Sequence, residues 1–382
     1  MKYLAILGRL EKISLAELEA QFSDVERKKA GLATFLSTEK PDIKRFGGVL
    51  KFCEEIPGGF NELVEFLTEM PEGKITLGVS NFKRGANLRK TRVEAMKLKR
   101  ILSKNGRSVR VLENKEVILS TATSHHNQLA EKKNHVEIVL TDFGNYSLIG
   151  VQNITEYAKR DQARPARDAK VGMLPPKLAQ ILINLCGPLE KNARVLDPFC
   201  GTGVVLQEAL LHGFVPYGTD LNPRMVEYSL RNLKWFGSEV TKKTFRGVSG
   251  ELIEKATVEK GDATNFKWNG KIDAVATEIF LGQPMSKPPV QIKLKEEKQR
   301  CGAILVGFLK NLSGQISSGA PVVVAVPAWL RENGEYSRLN LVDEIRELGY
   351  NVVSFRNSSQ GDLLYFREGQ IVAREIIVLR KK

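Results

Sequence analysis

Apolar positions recur along this chain with two alternating periods, every second residue over short runs and every third or fourth over longer ones. The first period reads as strand and the second as helix. Tyr3 to Leu7 begins as a strand, and Ser14-Leu15-Ala16-Glu17 has the spacing of a capping box that opens a helix. After Gly47-Gly48 comes a strand at Val49 to Phe52, and Phe60, Leu63, Phe66, Leu67 and Met70 keep helical spacing up to Pro71. These pieces make a small ferredoxin-like module over residues 1–71. Ile75, Leu77 and Val79 then alternate as a strand, and a helix is expected from Asn87 to Asn105, ended by Gly106. Val109 to Leu112, Val117 to Leu119 and Val136 to Leu140 read as further strands, with a short helix over Asn127 to Lys133 between the last two. This second α/β module is expected over residues 72–156.

A polar, charged stretch at residues 157–172 breaks the pattern and reads as a linker or flap. Beyond it, strand and helix alternate to the end of the chain. A helix starts at Pro175-Pro176 with Leu178, Ile181, Leu182 and Leu185 on its apolar face. Val195-Leu196 is a strand, Val204 to His212 a helix, and a second strand ends at Asp220. A helix from Pro223 to Phe236, a polar insertion from Gly237 to Val258 and a strand end at Gly261-Asp262-Ala263-Thr264 follow. Strands at Ile272 to Glu278, Val322 to Val326, Val352 to Phe355 and Ile371 to Leu379 are separated by helices near Val290 to Leu312 and Leu339 to Leu348. The regular alternation predicts an α/β, doubly wound (Rossmann-like) sheet, mostly parallel and covered on both faces, over residues 173–382.

At 382 residues the chain is long enough for two or three domains. No apolar run reaches the ~18 residues that cross a bilayer, and the apolar start of the chain is too short for a secretion signal. A cytoplasmic protein with no membrane partner is expected. Cys53, Cys186, Cys200 and Cys301 are scattered, and His125-His126 lacks ligand spacing, so no metal site is expected. The net charge of +14 is concentrated. Between Lys83 and Arg110 stand Lys83, Arg84, Arg89, Lys90, Arg92, Lys97, Lys99, Arg100, Lys104, Arg107 and Arg110 against the single acid Glu94. Such a run on one element is suited to tracking a phosphate backbone, so this stretch is expected to bind nucleic acid.

The stretch from Arg194 to Asp220 carries the most chemistry. A strand runs into Gly201-Thr202-Gly203, where the backbone turns sharply beside a ligand, then into a helix and a second strand ending in Asp220. An acid about 20 positions past a glycine turn is placed to accept ribose hydroxyls. The third glycine that admits a pyrophosphate is missing, which disfavours a dinucleotide and a nicotinamide oxidoreductase. Asp197 at the strand end would repel phosphates and suits a sulfonium or an ammonium group. S-adenosylmethionine carries both.

With these residues in place, the chain resembles the tRNA guanosine-N2-methyltransferases that carry a THUMP domain ahead of a class I S-adenosylmethionine-dependent methyltransferase domain. The resemblance rests on Arg160-Asp161, Arg164-Pro165-Ala166-Arg167-Asp168, Gly172-Met173-Leu174-Pro175-Pro176-Lys177-Leu178-Ala179 and Asp197-Pro198-Phe199-Cys200-Gly201-Thr202-Gly203. It implies that Asp197, Phe199, Gly201, Thr202 and Gly203 wrap the methionine part of S-adenosylmethionine. It also implies that Asp220 holds the ribose, that Leu221 packs on the adenine, and that Asp262 and Ala263 face the adenine amino group. The partner it implies is tRNA, held by the THUMP unit that contains the basic run. No motif speaks for or against a helper subunit.

Methylating an exocyclic amine requires the nitrogen to be held in line with the methyl donor and its protons to be accepted. The family does this with Asp-Pro-Pro-Tyr at the fourth strand end. Here an ungapped alignment places Glu278, Ile279, Phe280 and Leu281 on those positions. Glu278 keeps the acceptor on a longer arm, and Phe280 is the candidate to stack on a base taken out of its helix. Cys200 reads as a small buried residue, which disfavours cytosine C5 chemistry. The leading expectation is methylation of guanosine N2 in tRNA. Its rivals are amino-methylation of another base, in DNA or ribosomal RNA, and a tRNA-binding protein whose methyltransferase domain has lost turnover.

Overall fold

Apolar strands separated by glycine turns build two sheets, one in each of the two units into which the chain divides. The computed structural model describes residues 1–168, 173–242, 245 and 248–382. The first unit comprises Met1–Glu11, Phe22–Lys44 and Val49–Thr155, and the second Lys12–Gln21, Arg45–Gly48 and Glu156–Lys382. Helix α1 (Glu11–Gln21) therefore belongs almost wholly to the second unit, although it follows the first strand in sequence.

In the first unit the strands are β1 (Lys2–Leu7), β2 (Ser23–Lys29), β3 (Leu32–Leu36), β4 (Val49–Ile56), β5 (Ile75–Asn81), β6 (Val109–Val111), β7 (His135–Thr141) and β8 (Gly144–Val151). Their order is β2-β3-β1-β4-β8-β7-β5-β6. The modules expected at 1–71 and 72–156 share this one sheet, because β4 and β8 pair antiparallel, Glu54 opposite Ser147, and so satisfy each other's edge groups. Helices α2 (Phe60–Thr68) and α3 (Leu88–Lys104) cover it through Leu63, Leu67, Ala95, Leu98 and Leu102. Asn87 caps α3 by accepting from the Lys90 amide at 2.9 Å. Val117 to Leu119 form no strand. The Asn114 side chain donates to the Val79 and Glu116 carbonyls, and the Leu119 amide donates to Ser80 Oγ, which holds this segment as bends. The short helix also falls earlier than expected, at Thr121–His126 (α4), where Ser120 Oγ accepts from the Thr123 amide and Gln128 at φ 52° leaves the helical path.

In the second unit come α5 (Ile154–Gln162), α6 (Pro176–Leu185), β9 (Arg194–Asp197), α7 (Val204–Leu211), β10 (Val215–Asp220), α8 (Pro223–Thr241), α9 (Gly250–Glu254), β11 (Thr257–Lys260) and β12 (Ala274–Glu278). They are followed by α10 (Gln291–Ser313), β13 (Pro321–Leu330), β14 (Tyr336–Ser337), α11 (Val342–Glu347), β15 (Tyr350–Val352), β16 (Leu364–Tyr365) and β17 (Val372–Lys381). The main path of the sheet is β11-β10-β9-β12-β13-β17-β15. From β11 to β13 every neighbouring pair is parallel, and β17 runs antiparallel between β13 and β15. β13 is buried along almost its whole length, as a strand covered on both faces must be. This is the doubly wound sheet that the alternation predicts, in the class I methyltransferase order.

Two sequence expectations change in character here. Ser14 and Glu17 do not cap α1, which already starts at Glu11. Both point inward, with Ser14 Oγ donating to the Gly48 carbonyl at 2.7 Å and the Glu17 carboxylate accepting from the Gly47 and Gly48 amides and from Asn184 Nδ2. Burial pushes the Glu17 carboxyl up to about 7. The stretch expected as a linker over 157–172 is helical as far as Gln162 and docked beyond it. Arg160 Nε donates to buried Glu208 at 2.7 Å, and Asn232 clasps both the amide and the carbonyl of Ala166. Residues 169–172, with Gly172 of the quoted motif, lie outside the described residues, as do 243, 244, 246 and 247 of the polar insertion.

Candidate active site

Parallel strands deliver their carboxyl ends to one edge of the second sheet, and that edge is acidic. β9 ends in Asp197, β10 ends in Asp220, and Asp262 stands two residues past the end of β11. Asp197 is 3% exposed; its Oδ1 accepts from Thr277 Oγ1 at 2.6 Å and from the Phe199 amide at 3.3 Å. Burial pushes its carboxyl up to about 7, and the negative charges of Asp220 and Glu278 add to the rise. Asp220 accepts from the Gly201 amide through Oδ2 at 2.9 Å and from the Asn222 amide through Oδ1 at 2.8 Å. Its pKa is also raised, again mainly by burial. Asp262 accepts from the Thr264 amide and hydroxyl, and α10 holds the neighbouring Ala263 through Asn311 Nδ2 on its carbonyl.

The loop between Asp197 and α7 is shaped by its glycines. Gly201 and Gly203 take φ of 52° and 78°, the left-handed region that favours glycine. A Cβ on Gly203 would meet Ser229 at 3.0 Å, whereas at Gly201 the nearest atom would be 3.9 Å away. The loop therefore packs against α8 on one side and leaves room on the other. Ser229 Oγ donates to the Gly201 carbonyl and Asn232 Nδ2 to the Thr202 carbonyl, while Arg164 Nη1 reaches Thr202 Oγ1 at 3.4 Å. Phe199 is set edge-on against Phe308 of α10, 5.4 Å between centroids. Leu221 is 65% exposed just beyond Asp220. A strand edge with several carboxylates and open backbone at Gly201 fits the sulfonium, ammonium and ribose groups of S-adenosylmethionine.

The fourth strand end differs from the other three. Thr277, through its bond to Asp197, ties the end of β12 to β9, so Glu278 follows one residue after a direct contact with Asp197. Glu278 does not stand alone: Arg374 Nε of β17 donates to its Oε2 at 2.5 Å. Burial raises the Glu278 pKa while Arg374 pulls it down. Ile279 is buried with its amide on the Ala325 carbonyl. Phe280 is partly buried against the core, and the Arg300 guanidinium lies over its ring at 4.7 Å. Neither Arg374 nor Thr277 is singled out by sequence pattern. The available signal is a charged pair, Arg374-Glu375, set in the apolar run that continues to Leu379.

The candidate RNA-binding residues of the first unit fall into two groups. Lys83, Arg84, Arg89, Lys90, Arg92, Lys97, Arg100 and Arg110 are exposed on and around α3, opposite its buried face. Among these, Arg92 Nη2 reaches the Asn114 carbonyl, and Lys97 Nζ sits 4.0 Å from the centre of the Phe60 ring. Arg107 is different. Its guanidinium donates to the carbonyls of Thr68, Met70 and Pro71, so it ties down the end of α2.

Among known proteins, residues 164–300 match the model of the UPF0020 family, described as an RMKL-like methyltransferase domain. The chain is 30% identical over 172 residues to a tRNA (guanine(10)-N2)-dimethyltransferase of Methanothermobacter thermautotrophicus, covering 44% of each protein. It is 34% identical over 118 residues to the enzyme of the same name from Pyrococcus abyssi, covering 30% of each. The matched segments thus span less than half the length of these relatives. A crystal structure of TrmN from Thermus thermophilus aligns over 100% of both chains at 16% identity and TM-score 0.45, too low to add to the topology. Residues 164–300, which match this family's model, lie in the second unit and carry the parallel strands β9 to β12 with their acid-lined edge.

Proposed function

We propose that this protein transfers a methyl group from S-adenosylmethionine to the exocyclic N2 amine of a guanosine in tRNA. The observation that carries this reading is the set of carboxylates at Asp197, Asp220 and Asp262 on three adjacent strands, around a loop opened by Gly201. The names of the curated relatives supply the substrate. When bound, the cofactor supplies an electrophilic methyl on a sulfonium. Asp197 and the loop would face its cationic end, Asp220 its ribose hydroxyls, and Asp262 with Ala263 its adenine. Glu278 would accept the amine protons and orient the nitrogen lone pair, which is otherwise delocalised into the base. Phe280 would stack on the flipped base once Arg300 yields its face.

In the first unit, residues 72–156 would act as a THUMP-type module that holds tRNA through the exposed bases of α3. No helix among the described residues is long and apolar enough to cross a membrane. The test is transfer of isotopically labelled methyl from the cofactor to tRNA, followed by nucleoside digestion and mass spectrometry. Label in N2-methylguanosine is expected, and label in another base or in none overturns the reading.

One observation favours a second reading. Glu278 is engaged by Arg374, and the two prolines that stiffen the strand end in the related enzymes are Ile279 and Phe280 here. A protein that binds cofactor and tRNA yet stays inert on every tRNA would be a binder that has lost turnover.

A further inference from the structure

Strand β17 reads VAREIIVLRK, so two charges interrupt its apolar run at Arg374 and Glu375. Successive strand residues face opposite sides, and the two charges part accordingly. Glu375 meets Arg338 at 3.6 Å, whereas Arg374 meets Glu278. Arg374 is 6% exposed, yet Nε on Oε2 is the one hydrogen bond of its side chain among the described residues. Its two Nη groups and Glu278 Oε1 take no bond there, and none of them is among the buried atoms sealed off without a partner. Desolvating two charges offsets their attraction unless the remaining valences are met. An open pair at a strand end, one residue from the acid-lined edge, is placed to meet them with a ligand.

We infer that Arg374 is a specificity-determining residue for the target base: its Nη groups donate to O6 of guanine while Glu278 Oε1 accepts from the N1–H and N2–H groups beside it. This deepens the reading of Glu278 in the preceding subsection and rests on it. The chemistry selects among bases. Guanine presents one acceptor followed by two donors along that edge, which matches a donor beside an acceptor. Adenine presents a donor at N6 to the donor Arg374 and an acceptor at N1 to the acceptor Glu278, like against like, leaving buried polar groups unpaired. Arg374 has a second effect on the same carboxylate, since it opposes the burial that would otherwise neutralise Glu278.

The experiment uses the full chain and a tRNA transcript in which the modified guanosine has been located by nucleoside analysis. Absence of N2-methylguanosine with the wild-type protein would defeat the functional reading itself and is seen in this first arm. The second arm replaces that guanosine by 6-thioguanosine, which keeps N1–H and the 2-amino group and puts sulfur, a weak acceptor, in place of O6. Wild-type protein is expected to methylate the analogue on the order of tenfold more slowly, by kcat/KM, as for loss of one charged base contact. In Arg374→Ala the penalty should collapse to about twofold, because the contact that reads O6 is gone. Arg374→Lys, which keeps a charge beside Glu278 and loses the planar fork, should restore part of the rate and part of the penalty. The same penalty in wild type and in both variants overturns the inference. Cofactor affinity, measured on each variant, serves as the control for folding, and Arg374→Lys carries the comparison if Arg374→Ala fails to fold.

Discussion

Each unit buries an ion pair between a basic residue and a glutamate, and the two pairs are finished differently. In the first unit Lys51 and Glu137 have side chains 2% and 0% exposed. Lys51 Nζ donates to both carboxylate oxygens, to Ser124 Oγ and to the Leu119 carbonyl, and Glu137 also accepts from Ser80 and Ser124. In the second unit Glu278 and Arg374 share one bond, and their side chains keep 13% and 7% exposure. The first pair lies within a sheet that it staples to the 114–124 segment; the second lies where β12 stops. A closed network specifies a fold, and an open one at a strand end is available for chemistry.

That contrast is broken most directly by deleting each glutamate. Glu278→Ala should reduce methyl transfer by about 10²- to 10³-fold while costing less stability than the loss of Glu137, because the Arg374 Nη groups it leaves behind are not sealed off. Glu137→Ala should do the opposite, destabilising the first unit by about 3–5 kcal/mol because Lys51 is left buried and unpaired. Denaturant unfolding monitored in the first unit checks it, and a loss of activity without loss of stability would dissolve the distinction. The comparison is sharpened by the double replacement Lys51→Met with Glu137→Leu. Removing both charges should cost less than Glu137→Ala alone, since no unpaired charge remains.

The raised carboxyl of Asp197 gives a pH test confined to the second unit. At pH 6 a group titrating at about 7 is mostly protonated and neutral; by pH 8 it is mostly ionised and attracts a cation. Affinity for S-adenosylmethionine should therefore rise with pH, by about tenfold between pH 6 and pH 8 if only the ionised form binds. Asp197→Asn should flatten the profile. For the protein without cofactor the sign reverses, because a folded pKa above the unfolded one favours the protonated state. Asp197 then contributes stability at low pH that is lost as pH rises from about 4 through about 7.

The smallest effects belong to the surface of α3. Reversing Arg89 and Arg100 should weaken tRNA binding and lower the slope of log affinity against log salt by about 2. Arg107→Ala should leave that slope nearly unchanged and cost about 1 kcal/mol of stability through its carbonyl contacts. Equal slopes for both variants would remove the division between phosphate-facing and structural bases.

The alternation of strand and helix made the second sheet legible from sequence, and the Asp197-to-Gly203 loop with Asp220 made its edge legible, because period and glycine chemistry are local properties. What sequence could not show depends on distant pairing. Ser14 and Glu17 have capping-box spacing but serve Gly47, Gly48 and Asn184, which no local rule anticipates. Strand β2 lacks the apolar alternation of the others, since it carries SDVERKK at the sheet edge. Glu278 is legible through its alignment with the family's strand-end motif; its partner Arg374 lies 96 residues away and becomes visible only when β17 crosses beside β13.

The claim beneath all of this is that the strand-end acids of the second unit grip a cationic nucleoside donor. Calorimetric titration of the full chain with S-adenosylmethionine at pH 8, repeated on Asp220→Ala, tests it most directly. Saturable binding at one site per chain is expected, weakened at least about tenfold by loss of the ribose acceptor. Heats of wild-type protein indistinguishable from dilution, or an affinity that Asp220→Ala leaves untouched, would contradict it.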